Sequence, residues 1–132
     1  MLFQPAMAIL PYIEGSPEQA EEILSPFRTI VQPVFQRTGV VSSFNAVSHS
    51  SDAALSNLPP RSVSGTALFS ELWDDVVTTV FNEWTTYTEV EERKSSIVLW
   101  EFCSQEKIAE VRSDATAYPA RDPHYYVVVE GR

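Results

Sequence analysis

Tyrosines, an arginine and a histidine crowd the end of the chain. Residues 113–130 read SDATAYPARDPHYYVVVE, with Tyr118, Arg121, His124 and Tyr126 set around two prolines just ahead of a bare Val-Val-Val. A phenol and an imidazole brought together can relay a proton. An arginine beside them can orient a polar group, and tyrosine rings can form the wall of a pocket. Glu101, embedded in LWEFC, is a second candidate for acid–base work. An acid inside a hydrophobic strand either faces water or is buried, and burial raises its proton affinity into a useful range. Each residue also has an ordinary reading. His124 can be a core-edge residue, Arg121 can pair with Asp122 or Asp114, and the tyrosines can be core. No Ser-His-Asp arrangement is readable, and His49 has no second metal ligand at a suitable spacing.

The bulk properties narrow the setting. A chain of 132 residues, 44% of them hydrophobic, fits one domain with a real core. Eighteen acids against nine bases give a formal charge of −9. No basic stripe can displace counterions from a nucleic acid or dock an anionic membrane. Cys103 is the single cysteine, so an internal disulfide is ruled out. Its apolar run, residues 97–103, implies a buried and inert thiol, and a reducing cytoplasmic compartment is the expectation. The N-terminal MLFQPAMAILPYIEG lacks a basic n-region and is too short and Pro-broken for a membrane span or secretory signal.

The elements that must hold these residues follow from period and punctuation. Residues 6–13 read as a strand. Ser16, Pro17 and Gln19 form a helix start with a capping box, and Ala20, Ile23, Leu24 and Phe27 make its apolar stripe. Pro26 predicts a kink or an early end. A short strand is expected within residues 39–47, followed by a polar surface loop, SHSSDAALSNLPP, with the character of a lid. Residues 61–69 alternate as a strand. Ser70 is expected to cap a long helix whose stripe is Leu72, Trp73, Val76, Val77, Val80, Phe81, Trp84 and Tyr87. Residues 97–103 and 124–130 read as strands. The expected fold is α+β: a mostly antiparallel sheet of four to five strands, with two main helices packed on one face.

TAYPAR, at residues 116–121, resembles the TAFPHR element of berberine bridge enzyme-like FAD-linked oxidases. In that family the element follows a GG-x-M-x-E-I segment and precedes a strand. Here residues 105–111, QEKIAEV, come before it and residues 124–130 after it. YIEGSPEQAEEILSPF, at residues 12–27, looks like the strand-Gly-helix unit that opens the family's substrate-binding domain. The likeness runs from Ala6 to Glu130. It implies a substrate-binding domain standing alone, because the family's flavin domain and its attachment residues have no counterpart here. It also implies that Glu110 matches the family's base, on a strand over residues 107–111, and that Arg121 matches the family's arginine. The glycine pair before that base is Gln105-Glu106 here, and the histidine of the motif is Ala120. In the family the sheet forms a ceiling over the flavin.

Together these readings point to a small cofactor-free enzyme of specialised metabolism. It would bind a hydrophobic aromatic, polyketide or terpenoid-like intermediate and direct its cyclisation, isomerisation or dehydration. Glu101, Glu110, Tyr118 and His124 are the candidate proton handlers; Trp100, Phe102, Arg121 and Tyr126 are the candidate substrate contacts. Trp100 and Phe102, with Tyr125 or Tyr126, are expected on the sheet face opposite the helices, where a second copy or a ligand would cover them. One alternative is a non-catalytic substrate-binding partner of a separate flavoprotein. Another is a fragment of a full FAD-linked oxidase.

Overall fold

The computed structural model describes residues 5–50, 52, 62–118, 120–122 and 124–131. The lid-like character expected of SHSSDAALSNLPP falls almost wholly outside them. Two compact units emerge, Ala6–Asn57 and a larger one comprising Met1–Pro5 and Leu58–Arg132.

The smaller unit is built from local bonds. Helix α1 spans Pro17–Ile30. Ser16 Oγ accepts the Gln19 N–H at 3.3 Å, and Gln19 Oε1 accepts the Ser16 N–H at 2.8 Å, completing the expected capping box. Gly15 has φ +155°, and a Cβ there would stand 2.7 Å from Gln19 Oε1, so the cap needs glycine before it. Pro26 does not end the helix. It cannot donate to the Glu22 carbonyl, and the Ser25 hydroxyl does so instead at 3.0 Å. Residues 39–47, expected to hold a short strand, hold none, and a helical turn, α2, spans Phe44–Ser48. Ser43 Oγ accepts the Ala46 N–H at 3.2 Å and so starts a helix where apolar content suggested extension. Residues 6–13, expected to be a strand, form none and join no sheet among the described residues. The Tyr12 hydroxyl meets Ser50 Oγ at 2.7 Å.

The larger unit holds β1 (Val63–Phe69), α3 (Asp74–Tyr87), a 3-10 turn (Glu91–Arg93), β2 (Ile97–Glu101), the one-turn helix α4 (Glu106–Ala109) and β3 (Tyr125–Gly131). Both neighbours of β3 run antiparallel to it, in the order β1-β3-β2. The chain is α+β with four α-helices and three strands among the described residues. Helix α3 starts three residues later than expected. Its N-cap is Trp73, without a side-chain cap bond, and Asp74 and Asp75 supply the first-turn charge that favours its N-terminus. Its C-terminus is better closed. Thr88 is fully buried, and its hydroxyl donates to the Trp84 and Thr85 carbonyls at 2.9 and 3.1 Å. The Trp84 indole N–H donates to the Ser96 carbonyl at 3.0 Å, tying the helix to the start of β2.

Register decides which residues share a face, because directly paired residues of antiparallel strands point the same way. One face carries Phe69, Ala67, Trp100, Tyr125 and Val127; the other carries Leu68, Leu99, Glu101, Tyr126 and Val128. The first is the inner face. Trp73, at the start of α3, meets Phe69 edge-on with ring centroids 6.3 Å apart. At the other end of the helix, the Tyr87 hydroxyl lies 3.4 Å from where a Cβ on Gly131 would stand. Val127 is buried here at 7% exposure, and Phe69 and Trp100 rings lie 6.1 Å apart. Trp100 therefore faces α3, not the side opposite the helices. Among the described residues no helix is long and apolar enough to cross a membrane.

Candidate active site

The site forms where the 118–124 corner turns into β3. His124 is its fixed point, buried at 6% exposure just before the strand. Its backbone N–H donates to Gln105 Oε1 at 2.6 Å, so a side chain 19 residues away holds the corner to the sheet. The imidazole Nδ1 lies 2.6 Å from the Asp122 carbonyl oxygen. That oxygen can only accept, so Nδ1 carries a proton, and in that tautomer Nε2 is an acceptor. The Tyr118 hydroxyl stands 2.7 Å from Nε2 and donates to it in that tautomer. With its proton on the imidazole, the Tyr118 oxygen accepts from the Tyr126 hydroxyl. The result is one directed chain: Tyr126 to Tyr118 to His124 to the Asp122 carbonyl.

Electrostatics agree with the direction of that chain. The hydrogen bond to Tyr118 pushes the Tyr126 phenol up from 10.0 to about 12, reinforced by partial desolvation and by the nearby charges of Tyr118, Glu101 and Cys103. Tyr126 therefore keeps its proton and serves as a donor. Its ring stands edge-on to His124, with centroids 5.0 Å apart. Glu101 is directly opposite Tyr126 in the β2–β3 register, on the outer face and exposed.

Arg121 closes the other side of Tyr118. Its guanidinium carbon lies 5.5 Å from the Tyr118 ring centroid, and Nη2 donates to Thr116 Oγ1 at 2.5 Å. The ion pair anticipated with Asp114 is not made. Asp114 binds Arg112 instead, through contacts of 3.0 and 2.6 Å, and Arg121 has no ion pair among the described residues. An open cleft of about 330 Å³ adjoins this cluster, lined by Leu68, Phe69, Ser70, Ala120, Arg121, Asp122 and His124.

No protein-family model matches the chain, and no curated protein or solved structure matches it.

Four of the eight residues singled out from sequence thus meet in space: Tyr118, Arg121, His124 and Tyr126. Glu101 borders them. Trp100 lies on the inner face with Phe69, and Phe102 packs on Tyr125 with centroids 5.3 Å apart, so both belong to the aromatic packing beneath the sheet. Glu110 is not on a strand. It follows α4, exposed, and binds Lys107 Nζ at 2.9 and 3.0 Å, a spacing that favours a helical turn over an extended segment. Cys103 is exposed, not buried, because β2 ends at Glu101 and the chain leaves the sheet before reaching it.

Sequence reasoning missed Gln105, the Asp122 carbonyl and the cleft wall from Leu68 and Ser70. Gln105 carried no signal at all, since its role depends on a contact made across the fold. His49 meets Asp52 at 2.7 Å on the surface. Among the described residues no three His, Cys, Asp or Glu side chains converge as a metal site would require.

Proposed function

We propose that this chain is an acid–base catalyst for a small, largely apolar substrate, with Tyr118 as the working phenol and His124 as its proton partner. The observation that carries the reading is the hydrogen-bonded chain from Tyr118 through the buried His124 imidazole to the Asp122 carbonyl. A substrate proton can pass to the Tyr118 oxygen as the Tyr118 proton moves to Nε2. The imidazolium so formed keeps its Nδ1–H on the Asp122 carbonyl. Tyr126, still protonated, supports the charge that develops on the Tyr118 oxygen. Reversal of the relay returns a proton to a different substrate atom. Proton removal at one atom and delivery at another is an isomerisation, and it is also the acid–base part of a cyclisation or dehydration.

The cleft supports an aromatic or polyketide-like ligand, because Leu68 and Phe69 offer apolar walls beside polar Arg121, Ser70 and His124. Exposed Ile97, Leu99 and Leu68 lie on the same face as Tyr126, and a second copy of the chain covering them is part of the proposal. No redox cofactor is required for this chemistry, and a reducing cytoplasmic setting is proposed with it.

A second reading has its own support. Ala120 and Arg121, from the TAYPAR element that resembles flavin-linked oxidases, line the cleft. In that reading the chain presents substrate to a separate flavoprotein and turns over nothing alone.

The discriminating experiment is native mass spectrometry of the protein from its own source to identify the bound small molecule, followed by assays on it. Tyr118→Phe and His124→Gln are each expected to lower kcat by about 10²–10⁴-fold. Full turnover in both variants would sink the proton-transfer reading, and a flavin spectrum on the purified protein would favour the second.

A further inference from the structure

Arg121 is incompletely satisfied. Its Nε is buried and has no hydrogen-bond partner among the described residues, and its one strong bond is from Nη2 to Thr116. The carboxylates nearest in sequence do not serve it: Asp114 is taken by Arg112, and Asp122 makes no ion pair with it. A guanidinium is always charged, and a buried N–H without an acceptor is costly. The chain carries 18 acids and nine bases. An arginine kept away from that excess of carboxylates, on the wall of an open cleft, is a cation reserved for something else.

We infer that Arg121 binds a carboxylate on the substrate, so that the ligand of the cleft is an apolar or aromatic carboxylic acid. This rests on the acid–base reading of the same site and names its substrate class. Nε is itself closed off, so the terminal amino edge of the guanidinium, planar and charged, is the part that meets a carboxylate. The cleft supplies one cation and an adjacent acid, Asp122, which suits a monoanion better than a phosphate dianion. Leu68 and Phe69 take the apolar body. Arg121 also lies against the Tyr118 ring, and His124, the hydrogen-bond partner of that phenol, lines the cleft, so a carboxylate held there sets the substrate next to the relay. Arg121 is thus a positioning residue for the proton relay as well as a specificity determinant.

Titration calorimetry with trans-cinnamate and with its neutral amide tests this without any mutation. The acid is expected to bind about tenfold or more tighter than the amide. Arg121→Gln should erase that preference, and Arg121→Lys should restore part of it, since charge returns without the planar fork. Tyr118→Phe should leave the preference within about twofold, which separates this inference from the proton relay. Equal affinity for acid and amide in the wild-type protein overturns the inference. A preference that persists in Arg121→Gln, or no binding of either compound at about 10 mM, also overturns it.

Discussion

The two units differ in how far their bonds reach along the chain. In Ala6–Asn57 the bonds that define α1 join near neighbours: Ser16 to Gln19, Ser25 to Glu22, Thr29 to Pro26. Tyr12 to Ser50 is the long-range exception. In the larger unit the defining contacts are distant. Val63 pairs with Gly131, Ile97 with Glu130, and Gln105 holds His124. The difference teaches where each kind of function can reside. A unit built from local bonds leaves apolar residues such as Ile23 and Phe27 exposed. A unit built from distant bonds can enclose an imidazole, align two phenols on it and keep an arginine out of ion pairs.

Breaking the long-range unit should have the largest effect on stability. Val127 sits at the centre of β3, between Ala67 and Trp100, and is buried on the inner face. Val127→Ala is expected to cost about 2 kcal/mol, from lost burial and the void left behind. Urea unfolding followed by tryptophan fluorescence reads it directly, because Trp100 is the cross-strand neighbour. The same substitution at Val129, which is 45% exposed on the same strand, should cost clearly less. Equal losses at both positions would mean that the deeper burial of Val127 is not what stabilises this unit.

What was legible in the sequence follows the same division. The α1 cap was readable from Ser16, Pro17 and Gln19, because each bond closes within one turn. The α3 stripe was readable because Val76, Val77, Val80 and Trp84 repeat at the helical period, and all four are half-buried. The start of α3 was not, because Ser70 offered a plausible cap and the chain instead uses Trp73, whose ring is wanted on Phe69. For residues 105–111 a short turn and a strand were both readable, and the resemblance implied a strand over residues 107–111, where the chain makes a one-turn helix and its cap. A tetrad with Lys107 three residues before Glu110 favours a turn of helix, and the resemblance outweighed that local signal. In the site, residue types pointed to Tyr118, Arg121, His124 and Tyr126. Their order along a single proton chain was invisible, since it depends on the Asp122 carbonyl fixing the tautomer. Trp100 and Phe102 are not in the lining of the cleft, and the register, with residue 101 opposite residue 126, puts Trp100 on the face that α3 packs against rather than the opposite one.

The proton chain can be sharpened by titration in alkali. Tyr126 is raised from 10.0 to about 12, chiefly by its bond to Tyr118. The unfolded chain gives up this proton near 10 and the folded chain near 12. Between those values the folded state binds more protons, so stability falls as pH rises. The contribution is complete below pH 10 and is lost as pH passes through about 12. Absorbance near the tyrosinate band, about 295 nm, should show one tyrosine ionising late. In Tyr118→Phe that late step should move back towards the ordinary value. A late step that survives the substitution would mean the bond between the two phenols is not its cause.

Within the local unit the expected change is smaller and confined to one turn. Ser16→Ala removes the hydroxyl that accepts the Gln19 N–H, and it leaves the Gln19 side chain on the Ser16 backbone N–H. Half of the capping box therefore persists, and Gly15 still allows the Gln19 side chain its approach. The cost should be about 1 kcal/mol or less of helix stability. Amide exchange at Gln19 should quicken, while exchange at Val127 stays unchanged because β3 is secured by its neighbours on both sides. If exchange at Val127 quickens as well, the cap of α1 matters beyond its own turn, and the contrast between local and distant bonding is weaker than the hydrogen bonds of the two units imply.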